Sequence, residues 1–181
     1  MKRLIFLCTF LSIFFTAYSQ RSGNYASSVG LSGGYVEDGY GIMATYNYHL
    51  SRNDYAQLSI LVAIAEDKGT FNIPYNVFTI QPGYFFKLLE QKTFKKYALN
   101  IGGGGVFGYE AINNGDTSLP TGAVIDGKSQ FIYGAFVGIE GEIVLGNNLS
   151  VLIKANEYYH ANSDVGNFYP YAGIGLRYFL F

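Results

Sequence analysis

The sequence predicts an all-β fold, an eight-stranded antiparallel up-and-down β-barrel of the outer-membrane type, preceded by a cleavable signal peptide. Three observations predict it. The chain opens on a short basic and then apolar stretch with the anatomy of an export signal. Apolar residues then alternate with small or polar ones over segments of roughly 10–14 residues, where soluble sandwich strands run nearer 5–6. Finally, 49% of the 181 residues are hydrophobic and 18% aromatic, while only 14% are charged. An ordinary soluble domain carries roughly 25% charged residues.

Composition also excludes several classes. Disorder requires low hydrophobicity and high charge. Nucleic-acid binding requires a basic surface, and the formal net charge is −1. A disulfide scaffold is impossible with one cysteine.

Residues 1–19 read as the signal peptide and residues 20–181 as a single transmembrane β-barrel domain. Lys2 and Arg3 form the basic n-region, and Leu4–Phe15 the apolar h-region. Ala17 and Ser19 are small residues at the positions a signal peptidase inspects, which places the cut between Ser19 and Gln20. An uncleaved anchor would need an apolar run of about 20 residues. Cys8 lies inside the h-region, so the mature chain carries no thiol. No later segment is long and apolar enough for a transmembrane helix. An exported chain with this much aromatic surface points to a closed barrel in a bacterial outer membrane.

Each strand follows from its alternation. Ala26–Val36 is Gly- and Ser-rich, and its facing is ambiguous. Tyr40–Leu50 places Tyr40, Ile42, Ala44, Tyr46 and Tyr48 opposite Gly41, Met43, Thr45, Asn47 and His49. Tyr55–Ala65 places Leu58, Ile60, Val62 and Ile64 opposite Gln57 and Ser59. Tyr75–Leu88 sets Phe78, Ile80, Tyr84 and Phe86 against Thr79, Gln81, Gly83 and Lys87. Tyr97–Tyr109 sets Leu99, Ile101 and Phe107 against Asn100, Gly102 and Gly104. Gln130–Val144 sets Phe131, Tyr133, Val137 and Ile139 against Gly138, Glu140 and Glu142. Leu149–Tyr159 sets Val151 and Ile153 against Ser150, Lys154 and Asn156. Phe168–Phe181 sets Ile174, Leu176 and Tyr178 against Gly173, Gly175 and Arg177.

With both termini in the periplasm, every second connection is a short turn, at Ser51–Asp54, Glu90–Lys96 and Gly146–Asn148. The outer connections are Glu37–Gly39, Glu66–Pro74, Glu110–Ser129 and His160–Asn167. All but the first are expected to be longer. Tyr40, Tyr46, Tyr48, Tyr84, Tyr97, Tyr109, Tyr133, Tyr159 and Tyr178 fall near strand ends, where amphipathic rings favour the headgroup level.

Candidate chemistry is sparse. Gly102–Gly105 lacks the Lys and the helix start of a phosphate loop, and reads as a strand whose small inward residues admit large ones opposite. His49 and His160 have no metal-ligand spacing. Asn148-Leu149-Ser150 is a sequon of no consequence in bacterial export. Glu140 and Glu142 share one strand face and could form an acid–base pair. An eight-stranded lumen is filled with side chains, and charges inside it must be paired. Glu140, Glu142, Lys154 and Arg177 therefore read as an interior polar network, with Lys87 a further candidate on the same face. No catalytic, cofactor-binding or metal residues are expected.

The chain also resembles the TraO family of conjugative-transfer proteins from conjugative transposons of Bacteroides-type bacteria. The residues that carry the resemblance are Gly83–Leu89, Gly108-Tyr109-Glu110, Asn114-Gly115-Asp116, Asp126-Gly127-Lys128, Phe131–Gly134, Glu140-Gly141-Glu142 and Gly173–Arg177. The resemblance implies a non-enzymatic outer-membrane component of a DNA-transfer apparatus. Its partners would be outer-membrane lipid and other apparatus proteins, with no direct nucleic-acid contact. The alternative is a general small barrel of the adhesion or defence type. An outer-membrane enzyme acting on lipid has least support, since only His160 lies near a bilayer rim. At the C-terminus, Phe179 and Phe181 fit the usual outer-membrane pattern while Gly175 and Arg177 do not; a bulge there would reconcile the two parities, which the sequence leaves open.

Overall fold

A computed structural model of the chain describes residues 26–68, 72–91, 96–115 and 127–180. The expected signal peptide and the Ser19–Gln20 bond lie outside these residues. Eight strands follow one another in sequence: β1 (Ser27–Val36), β2 (Gly39–His49), β3 (Asp54–Lys68), β4 (Asn72–Glu90), β5 (Tyr97–Ile112), β6 (Gln130–Val144), β7 (Leu149–His160) and β8 (Phe168–Leu180). Each pairs antiparallel with its sequence neighbours, and β8 pairs with β1 to close the barrel. Closure leaves no sheet edge, so the backbone groups of the wall satisfy one another without water. The end at which β1 starts and β8 stops is called the terminal end below, and the opposite one the loop end.

The hydrophobic alternation sorts the side chains as their pattern requires. On β3, Gln57, Ser59 and Leu61 are buried while Leu58, Ile60 and Val62 are exposed. On β6, Gly138 and Glu140 face the lumen while Val137 and Ile139 face out. The ambiguous β1 resolves by its register: Ser28, Ser32 and Val36 point inward, while Val29, Leu31 and Tyr35 point outward. The nine tyrosines named above all lie exposed on the outer wall. Tyr40, Tyr109, Tyr133 and Tyr159 lie toward the loop end, and Tyr46, Tyr48, Tyr84, Tyr97 and Tyr178 toward the terminal end.

One expectation is corrected and one open reading is decided. The connection Glu66–Pro74 is not long, because β3 runs to Lys68 and β4 starts at Asn72. Strand pairing is made by the backbone, so it continues through charged residues where side-chain alternation has already ended. The β1–β2 turn is the shortest of all, in agreement with its sequence, with Asp38 at φ +56°, a left-handed conformation that Asp tolerates. The open C-terminal parity is decided without a bulge: β8 pairs without interruption from Tyr171 to Leu180 with β1, and from Phe168 to Tyr178 with β7. Arg177 and Phe179 both point into the lumen. The bulge lies instead in β4, where the register with β5 shifts between Lys87 and Leu89. The extra residue leaves both Leu88 and Leu89 exposed.

Rings fill much of the lumen. Tyr55 stacks on Phe85 at 5.5 Å between centroids, and the series continues through Phe136, Tyr158, His160 and Tyr169. Glycines make the room. A Cβ on Gly102 would sit 2.5 Å from the Phe85 ring, and one on Gly83 would sit 2.8 Å from Phe136. The ring over Gly102 therefore comes from the directly paired residue of the neighbouring strand, not from across the barrel. Gly102→Val is expected to destabilise the purified barrel by about 1–3 kcal/mol through overpacking. A urea titration in detergent micelles checks this, with Gly33→Ala as the control because a Cβ there meets nothing.

Candidate functional site

Glu140 and Glu142 lie two apart on β6, so both carboxylates enter the lumen in its terminal half. Lys154 stands directly opposite Glu140 in the β6–β7 register. Arg177 on β8 pairs with Ser150, one inward position below Leu152 on β7. The local sequence brings these groups together for one reason: adjacent strands in a closed sheet present the same face at each paired position.

The network centres on Glu140. Its Oε1 accepts from Lys154 Nζ at 2.7 Å and from Gln57 Nε2 at 2.8 Å. Its Oε2 accepts from Arg177 Nη2 at 2.5 Å and from the Tyr55 hydroxyl at 2.7 Å. Arg177 Nη1 reaches Glu142 Oε2 at 3.1 Å, and the Ser150 hydroxyl donates to Glu142 Oε1 at 2.8 Å. The guanidinium also lies 5.2 Å from the Tyr55 ring centroid, within cation–π range. Gln57 extends the network to Asn47, and Asn47 to Ser28. Lys154 Nζ lies 3.7 Å from Met43 Sδ. Two carboxylates thus face two cations, all buried, and the formal charges cancel.

The four residues named from sequence come together; Lys87 does not join them. It lies near the terminal rim and pairs with Glu90 at 2.8 Å. Sequence reasoning missed Tyr55, Gln57, Asn47 and Ser150 as partners. Their inward parity was legible, but which strands face each other across the lumen was not.

The remaining candidates separate. His49 lies inward at the terminal end between Tyr55 and Phe179, with Ser28 Oγ 3.2 Å from its Nε2. His160 ends β7, faces the lumen near the loop end and stacks on Tyr169. It does not face the bilayer rim, as a lipid-directed base must. Glu110, expected in a loop, belongs to β5; it is buried and accepts from Ser163 at 2.6 Å. Among the described residues no cluster of three or more potential ligands could hold a metal ion.

Glu140 carries four donors on its two oxygens. That fills the roughly four lone-pair sites of a carboxylate. No site remains to take a proton from a substrate. The arrangement is suited to joining β3, β6, β7 and β8 across the lumen.

Several solved structures share the fold. Neisserial surface protein A aligns with a TM-score of 0.55 and 8% identity, over 85% of this chain and 94% of that one. Ail, the attachment invasion locus protein of Yersinia pestis, aligns with a TM-score of 0.53 and 13% identity, over 84% and 95%. A major outer membrane protein from Thermus thermophilus aligns with a TM-score of 0.53 and 13% identity, over 85% and 99%. At these identities the likeness shows the architecture, that of outer-membrane barrels. No protein of curated function matches the chain in sequence. The conjugative transposon protein TraO family does match, over residues 17–180, and this chain belongs to it.

Proposed function

We propose that the chain is a non-enzymatic outer-membrane component of a conjugative DNA-transfer apparatus. On this reading it is exported by a signal peptide cut between Ser19 and Gln20. It inserts as a barrel with the terminal end in the periplasm and meets other apparatus proteins through its outer loops and walls. The observation that carries the reading is family membership over nearly the whole chain. The lumen supports it, because a bore closed by rings and a self-neutralised network offers no path for nucleic acid. The loop end supports it too. Glu37, Asp38, Glu66, Glu110 and Asp164 cluster toward that end, and carboxylates repel a phosphate backbone.

The outer wall matches a bilayer. An apolar band between aromatic girdles is the mark of a barrel in lipid, and exposed tyrosines stand toward both ends of an apolar outer wall here. Deletion of the gene from its element is expected to lower transfer frequency at least tenfold, with recovery on complementation. Unchanged transfer overturns the reading and leaves that of a general small barrel.

A further inference from the structure

Between the two tyrosine girdles the outward residues are apolar on every described strand but β7. There the outward series is Leu149, Val151, Ile153, Ala155, Glu157 and Tyr159, and Glu157 is the one charged side chain that the outer wall carries inside the girdles among the described residues. Its neighbours in register are Val137 on β6 and Pro170 on β8. It lies one outward position inside Tyr159, whose ring packs on Phe168 at 5.4 Å. With a strand rise of about 3.4 Å per residue and a tilt near 45°, that is about 5 Å below the girdle. The Glu157 side chain is exposed and makes no ion pair or hydrogen bond with a described residue. A glutamate stem is also shorter than those with which Lys and Arg reach the interface.

The surroundings of Glu157 differ from the rest of the wall. Its outward neighbours are Ala135, Val137, Ala155, Pro170 and Ala172, all exposed. The opposite wall, on β3 and β4, presents Leu58, Ile60, Val62, Phe78 and Ile80. Small residues let another backbone approach closely in lipid. An ionisable group facing hydrocarbon is costly, and it is retained where it has a partner.

We propose that the face of β6, β7 and β8 around Glu157 docks a membrane-embedded segment of another transfer-apparatus protein, one that carries Lys or Arg at this depth. The inference rests on the outer-membrane and transfer reading above. Charge complementarity selects the occupant. A second copy of this chain brings no cation, because Lys154 and Arg177 are buried in the lumen and the outer wall within the girdles holds no other charge among the described residues. A two-fold pair would oppose two carboxylates. Lipid A headgroups are anionic as well.

The test places a photo-crosslinking residue at Ala155, or at Ile60 on the opposite wall as control, in cells that carry the complete element. The Ala155 probe is expected to trap one apparatus protein, through a membrane-spanning segment that contains Lys or Arg. The Ile60 probe is expected to trap none. Glu157→Lys should reduce the adduct at least tenfold, and exchanging the partner's basic residue for Glu should restore it. Should Glu157→Lys fail to insert, Glu157→Leu provides the second arm. It is expected to raise the urea midpoint of the purified barrel while lowering transfer at least tenfold. Adducts only with lipid, only with a second copy, or equally from both walls overturn the inference, as does normal transfer by Glu157→Leu. In each of those cases the wild-type chain still fractionates with the outer membrane and its deletion still lowers transfer. Loss of either of those two controls overturns the functional reading itself, and the docking inference with it.

Discussion

Lys154→Met is expected to destabilise the purified barrel by about 3–5 kcal/mol, the usual cost of removing one partner from a buried ion pair. The substitution leaves Glu140 with Arg177, Tyr55 and Gln57, and leaves the buried cluster one negative charge in excess. The structure also says which carboxylate should compensate. Lys154 pairs with Glu140 at 2.7 Å, while Arg177 and Ser150 hold Glu142. Adding Glu140→Gln to Lys154→Met should therefore recover part of the loss. Adding Glu142→Gln should recover less, because Glu142 is linked to Lys154 through Arg177 and Glu140. A double-mutant cycle by urea titration in micelles measures both coupling terms. Strict additivity between Lys154 and Glu140 would refute the network as a coupled unit.

Ile60→Arg is the second large effect, at about 2–4 kcal/mol for a cation near the bilayer midplane. Ile60 lies mid-strand on β3, 40% exposed, between Ala44 on β2 and Ile80 on β4. The measurement is the urea midpoint after refolding into lipid vesicles, with the same variant in aqueous detergent as reference. Ser59→Arg, one residue away, should fail for a different reason, because Ser59 is buried in the filled lumen and the longer side chain overpacks it. Equal refolding of Ile60→Arg and wild type in vesicles would show that this wall does not face hydrocarbon.

The two sets of residues behind these predictions differ in how far the chain announced them. The outward facing of Ile60 and Ile139 was legible, because alternation is a local property: each residue of a strand points opposite to the last, whatever the strand pairs with. The inward facing of Glu140, Glu142, Lys154 and Arg177 followed by the same rule. The strand ends were less legible. β3 and β4 continue past Glu66 and Pro74 because backbone pairing does not depend on the polarity of the side chains outside the bilayer. Glu110 was hidden for the same reason.

The C-terminal parity shows the opposite case. Alternation alone placed Leu176, Tyr178 and Leu180 on one face, while the usual terminal pattern favoured the other, so the parity stayed open between a regular strand and a bulged one. Uninterrupted pairing with both β1 and β7 leaves β8 regular and turns Phe179 inward against His49. The bulge at Leu88 carried no warning in the sequence, since Leu88 and Leu89 read equally well as alternation or as a run.

By itself the sequence determined the fold class, the order of the strands and the face on which most side chains lie, because period-two patterning and hairpin order are local and need no knowledge of distant strands. Only the tertiary structure decided that Glu140 takes Tyr55 and Gln57 from β3, that Phe85 lies over Gly102, and that Glu157 stands among small residues on the outer wall. Those contacts depend on closure and register, which join residues up to about half the barrel apart. A shift of one residue in any strand pair would turn every side chain of that strand to the other face.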